Sequence, residues 1–127
     1  MNISKVETYL NTLIDNVVSM NTFFGSYPEK ETIDPRWNDM IFVEIPNGIE
    51  DREAFGEGTV LVWLFARPLS SGRKNVPVLS KMEQKLNSII ENANDPIYRI
   101  SRRETYTDYD RELKWHANIV ELVLKVF

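Results

Sequence analysis

Thr59-Val60-Leu61-Val62-Trp63-Leu64-Phe65-Ala66-Arg67 is the stretch whose reading decides the fold. It is rich in β-branched and aromatic side chains, which pack well on a pleated surface and favour an extended strand. Successive side chains of a strand point to opposite faces. Val60, Val62, Leu64 and Ala66 therefore line one face, while Leu61, Trp63 and Phe65 line the other. Polarity does not alternate, so both faces of this strand ask for cover. A fully buried central strand of a layered fold would satisfy that demand.

Upstream, Met40 to Ile45 reads as a short strand closed by the turn Pro46-Asn47-Gly48, and the polar stretch Ile49 to Glu57 leads past Gly58 into the central strand. Downstream, Pro68 to Asn75 is a loop with Arg67, Arg73 and Lys74 around it, and Pro77 is placed in the first turn of a helix, where proline is tolerated. Leu79, Met82, Leu86, Ile89, Ile90 and Ala93 form the apolar stripe of that helix, which Asn94, Asp95 and Pro96 end. Ile97 to about Tyr106 and Leu113 to Phe127 then flank the polar turn Thr107 to Glu112, predicting an antiparallel hairpin.

At the start of the chain Ser4 to Glu7 reads S-x-x-E, a capping box. Val6, Leu10, Leu13, Ile14, Val17 and Val18 follow at helical spacing, predicting a helix from about Ser4 to Met20. From Asn21 to Asn38 the periodicity is lost. Gly25, Pro28 and Pro35 punctuate this segment, Glu29, Lys30 and Glu31 give it a solvated surface, and Phe23 and Phe24 would pin its start to the core. Loops this long are uncommon unless they contact something. The expected fold is one α+β domain over residues 1–127, in the order α-β-β-α-β-β. Its four-stranded, mainly antiparallel sheet would carry two helices on one face.

Composition narrows the function. The 127 residues are 43% hydrophobic and 27% charged, with a formal net charge of -4, so the balance is that of a globular domain with no nucleic-acid specificity. Without cysteine there is no disulfide framework, thiolate nucleophile or ordinary structural zinc site. No apolar run approaches the ~18 residues of a membrane span, and the polar opening Met-Asn-Ile-Ser-Lys does not read as a secretory signal. A cytoplasmic protein is expected.

Chemistry-bearing patterns are sparse. His116 is the only histidine and falls on the face of Asn118, Val120, Leu122, Leu124 and Val126. A general base is one reading of it, but a structural or interface position weighs more. Asp108, Asp110 and Glu112 offer oxygen ligands without the spacing of a calcium loop, and a charged hairpin tip accounts for them. Gly56-Glu57-Gly58 precedes a strand, the wrong context for a phosphate-binding loop. Arg99, Arg102 and Arg103 beside Tyr98 and Tyr106 resemble a nucleic-acid surface, yet acidic neighbours favour cross-strand ion pairs. No catalytic residue, metal site or cofactor is expected, and an enzyme using carboxylates with His116 is the weakest reading.

The second face of the sheet is the anomaly. Trp63 and Phe65 lie there, joined by Trp115, Ala117, Ile119 and Val123 of the last strand, and two helices on the opposite side cannot shelter them. Either another subunit buries Trp63, Phe65, Trp115 and Ile119, or the loops from Asn21 and Ile49 fold over them.

The layout from the opening helix through Met40-Ile41-Phe42-Val43-Glu44-Ile45-Pro46, the strand Thr59 to Arg67, the loop with Gly72 and Arg73, and the closing hairpin to Ile119–Phe127 resembles the bacteriophage tail terminator (tail completion) family. The match is one of architecture and covers nearly the whole chain. The resemblance implies a structural protein of a phage or prophage particle: a homo-oligomer, commonly a hexameric ring, that ends tail-tube growth and meets other tail or head proteins. It would give Phe23 to Asn38, Ile49 to Gly58 and the hairpin tip to subunit or tail-tube contacts. Arg73, Lys74 and Tyr109 are candidate partner-contact residues. The alternative is a host adaptor or regulatory domain that holds a peptide or protein along a sheet edge.

Overall fold

A computed structural model describes residues 3–15, 17 and 22–127. Over the described residues the chain is α+β, with two helices and a mixed sheet of six strands where four antiparallel ones are expected from the sequence. Helix α1 spans Ile3–Ile14; strands β1, β2, β3 and β4 span Thr22–Phe24, Asp39–Glu44, Glu50–Asp51 and Gly56–Ala66; α2 spans Val76–Asn92; β5 and β6 span Tyr98–Asp110 and Trp115–Val126. The sheet order is β1-β2-β4-β6-β5, with β3 also pairing with β4. β1 runs parallel to β2 and every other pairing is antiparallel. The two added strands are only three and two residues long, too short to show a period in sequence.

The doubly apolar stretch takes the centre. β4 is bonded on one side to β2 and β3 and along its whole length to β6. Its even-numbered side chains enter a core with Val6, Leu10 and Ile14 of α1, Leu79, Met82, Leu86 and Ile90 of α2, and Val120, Leu122, Leu124 and Val126 of β6. Both helices therefore cover one face. Helix α2 begins where Asn75 accepts a hydrogen bond from the backbone N–H of Val78, with Pro77 in its first turn. Helix α1 is already helical at Ile3, so Ser4 lies inside the helix and not at its cap. Of the expected continuation to Met20, Asn16 and Val18–Met20 lie outside the described residues, while Val17 is buried in the core.

The closing hairpin is longer than its polar sequence implies. β5 continues through Thr107–Asp110, and the turn is confined to residues 111–114. Asp110 makes the turn: its carboxylate accepts the N–H groups of Glu112 and Leu113, and its carbonyl accepts the N–H of Lys114, which has φ 61°. The register slips between Arg102 and Thr105, a β-bulge in the outer strand.

Candidate functional site

Register fixes what the second face carries. Across β2, β4, β6 and β5, one row runs Phe42, Trp63, Ile119, Tyr106 and the next runs Met40, Phe65, Ala117, Asp108. Met40, Phe42, Phe65, Trp115 and Ala117 form a second buried cluster, with Phe23, Ile33, Trp37, Trp63 and Leu113 packed against it. Residues 25–38 lie over this cluster as a strap. The Tyr27 ring meets Phe42, Trp63 and Phe65 edge-on at 5.2, 5.5 and 5.9 Å. Its hydroxyl donates to Asp110 Oδ2 at 2.6 Å. The far end of the strap is held by Arg67, whose guanidinium stacks 4.7 Å from the Trp115 ring and donates through Nε to the Trp37 carbonyl at 2.8 Å.

This covering bears on the two readings of the second face, burial by another subunit or by the chain's own loops. Phe65 is 0% exposed, Trp115 3% and Ile119 9% within the one chain, and Trp63 is half-buried, its Nε1 donating to Glu44 Oε1 at 3.3 Å. Of the two readings left open by the sequence, the loop from Asn21 supplies the cover. The loop from Ile49 does not reach this cluster: Ile49 packs against the helix-side core, and Phe55 lies beneath Lys125 on the other half of the face. Physical necessity decides this outcome, since aromatic side chains of β4 left in water would cost about 1.5–3 kcal/mol each.

Electrostatics tighten the strap. Burial alone would raise the Asp110 carboxyl, but hydrogen bonds from Leu113 N–H, the Tyr27 hydroxyl and Glu112 N–H outweigh it and hold the group below its ordinary value. Burial, then the hydrogen bond to Asp110, pushes the Tyr27 hydroxyl well above the usual phenol range. The hydroxyl thus stays a donor and the carboxylate an acceptor at neutral pH.

Arg73, Lys74 and Tyr109 do not form one loop. Arg73 is exposed in the connection to α2, whereas Lys74 is half-buried and donates to Asn118 Oδ1 at 2.8 Å. Asn118 in turn donates to Glu83 of α2 at 2.8 Å. Tyr109 belongs to β5, opposite His116, and the two rings lie 4.7 Å apart. Lys74 and Tyr109 thus reach the same helix-side end of the sheet, through Asn118 and His116 of β6. His116 Nδ1 is buried without a hydrogen-bond partner among the described residues.

Two features escape sequence reasoning. Among the described residues the outer strand β5 has β6 as its one neighbour, and every residue from Ser101 to Tyr109 is exposed, on both faces. The other is a polar hollow of about 320 Å³ beside Gly48, Arg52, Glu57, Thr59, Arg103 and Val123, on the half of the second face that the strap leaves open. Among the described residues no group of three or more His, Asp or Glu side chains is placed to hold a metal ion. No helix among them is long and apolar enough to cross a membrane. No protein-family model matches the chain, and no curated protein matches it at a significant level.

Proposed function

We propose that this chain is a non-enzymatic structural protein that acts by self-assembly, a tail-terminator-like subunit closing into a ring and meeting other tail or head proteins of a particle. The outer hairpin carries the reading. Strand β5 is thirteen residues long, yet Ser101–Tyr109 contribute no buried side chain and, among the described residues, nothing pairs with their outer backbone edge. A lone domain gains little from such a strand, and an unpaired edge is a template for another chain. Arg102, Arg103, Glu104 and Asp108, with the bulge after Arg102, restrict which chain can pair there. The resemblance in layout supplies the ring.

Light scattering coupled to size exclusion, followed by negative-stain microscopy, tests this. Closed rings of uniform subunit number are expected, and a chain that stays monomeric at about 0.5 mM overturns the reading. The free edge of β5 also supports a second reading, an adaptor that takes an extended peptide as an added strand. That reading predicts a monomer whose β5 amides gain hydrogen-exchange protection only when a partner segment is added.

A further inference from the structure

Along the outer edge of β5 the backbone pattern and the charge pattern divide at the same point. The Phe127 N–H donates to the Ile97 carbonyl at 2.8 Å, so these two residues are a bonded pair. Bonded and non-bonded pairs alternate along an antiparallel ladder. Arg99 and Ser101 therefore turn their backbone groups to β6, whereas Tyr98, Ile100 and Arg102 turn theirs outward. β6 pairs with β4 without a break, so its own alternation continues past the bulge. Thr105 faces Val120 as Arg102 faces Leu122, and Thr105, Thr107 and Tyr109 again turn their backbone groups outward. Between them the bulge sets both Arg103 and Glu104 against Glu121, on the second face. Arg102 donates to Thr105 across the bulge on the helix side. Charge changes sign here. Arg99, Arg102 and Arg103 precede the midpoint of the bulge, and Glu104, Asp108 and Asp110 follow it. Some have partners in their own chain: Arg102 reaches Glu83, Arg99 lies over the Phe127 ring, and Glu104 accepts the Tyr106 hydroxyl. Arg99, Arg103, Glu104 and Asp108 are nonetheless all exposed.

We infer that two copies join antiparallel through this edge, about a two-fold axis that passes between Arg103 and Glu104 and stands perpendicular to the sheet. The axis sets Arg102 opposite Thr105 of the other copy, Ile100 opposite Thr107, and Tyr98 opposite Tyr109. Every residue with outward backbone groups thus meets another. In a regular strand such an axis must pass through a residue, because neighbours point to opposite faces. The bulge lifts that restriction, since Arg103 and Glu104 share a face. On that face Arg103 meets Glu104 of the other copy and Arg99 meets Asp108, and symmetry repeats both pairs. Other two-fold registers are worse. Centred on Ile100, the axis lays the basic half on itself; centred on Thr107, it sets Glu104 opposite Asp110. Like charges opposed across a ladder are unfavourable. A two-fold contact uses one patch on both partners and must be complementary to itself. About the bulge, β5 is. The inference rests on the self-assembly reading and names what occupies the edge: the same edge of a second copy. Such a contact closes on itself, so a ring built from these pairs needs a second contact elsewhere and holds an even number of subunits.

Charge exchange and a proline test it, all at exposed positions. Sedimentation equilibrium of the full chain is compared with that of Arg99→Asp, Asp108→Arg, their double exchange and Thr107→Pro. Each single exchange opposes like charges and should weaken association tenfold or more, and added salt should weaken the native contact. The double exchange restores opposite pairs and should return the affinity to within about threefold of the native chain. Thr107→Pro removes an N–H that bonds nothing in its own chain among the described residues, so it should weaken pairing tenfold or more in a folded chain. Circular dichroism melts of all five proteins establish that they are folded. Hydrogen exchange of the native amides at Ile100, Arg102, Thr105 and Thr107 should slow as the chain's own concentration rises. A native chain that stays monomeric at about 0.5 mM overturns both this contact and the self-assembly reading. A native chain that associates overturns this contact alone if the single exchanges have no effect, the double exchange fails to recover, or those amides stay unprotected.

Discussion

Removing the Tyr27 hydroxyl should loosen the strap, and the size and pH dependence of the loss can be worked from the geometry. The hydroxyl donates to Asp110 Oδ2 at 2.6 Å, a bond to an ionised acceptor. Such bonds contribute about 1.5–3 kcal/mol when buried. Tyr27 is 40% exposed, so water takes over part of the role in the variant. Tyr27→Phe should therefore cost about 1 kcal/mol, and a domain of this size should melt about 3–5 °C lower. Tyr27→Ala also removes the edge contacts to Phe42, Trp63 and Phe65. Each is worth about 0.5–1.5 kcal/mol and they are not additive, so the total loss should be about 2–4 kcal/mol.

The pH dependence has a definite sign. Asp110 is held below its ordinary value in the folded chain, so its contribution is present above the unfolded carboxyl value of about 4. It is lost as pH falls through the folded value. Tyr27→Phe deletes one of the three donors to this carboxylate, so the gap between native and variant should be full at pH 7 and narrow in acid. Urea titrations followed by tryptophan fluorescence suit the question, because Trp37, Trp63 and Trp115 all pack in or against the cluster beneath the strap. A gap that stays constant from pH 7 to about pH 2.5, or a Phe variant as damaged as the Ala variant, would refute the latch.

Two further substitutions examine how the sheet is held. Arg67→Lys keeps the charge but loses the planar stack on Trp115 and the Nε bond to the Trp37 carbonyl, and should cost about 1–2 kcal/mol in urea unfolding. Gly58→Ala places a Cβ 2.7 Å from the Gly48 carbonyl oxygen and 2.5 Å from Ile49 Cδ1, so the turn must shift. A loss of about 1–3 kcal/mol is expected, read as a lower midpoint with an unchanged m-value.

What the sequence made legible is what period reports. Val60, Val62 and Leu64 alternate with Leu61, Trp63 and Phe65 as a central strand requires, and the stripe Leu79, Met82, Leu86, Ile90 faces the sheet after a start at Asn75. The strap was legible only as a loop too long to be idle. Tyr27 is fixed by Asp110, 83 positions away, and no local pattern encodes a contact of that range. β1 and β3 are visible only as partners of β2 and β4, since a strand of two or three residues has no period of its own. The end of β5 was hidden for a different reason. Thr107-Asp108-Tyr109-Asp110 has the composition of a turn, and a strand exposed on both faces has no buried side to impose alternation.

That difference separates the two halves of the second face physically. Where the register stacks aromatics, Phe42 beside Trp63 and Met40 beside Phe65, the chain supplies its own cover, because leaving that surface wet is costly. Where the register brings charged side chains together, Lys125 between Glu57 and Arg99, water is a tolerable neighbour and no strap is laid over them. An apolar surplus read from sequence thus marks where a chain folds back on itself.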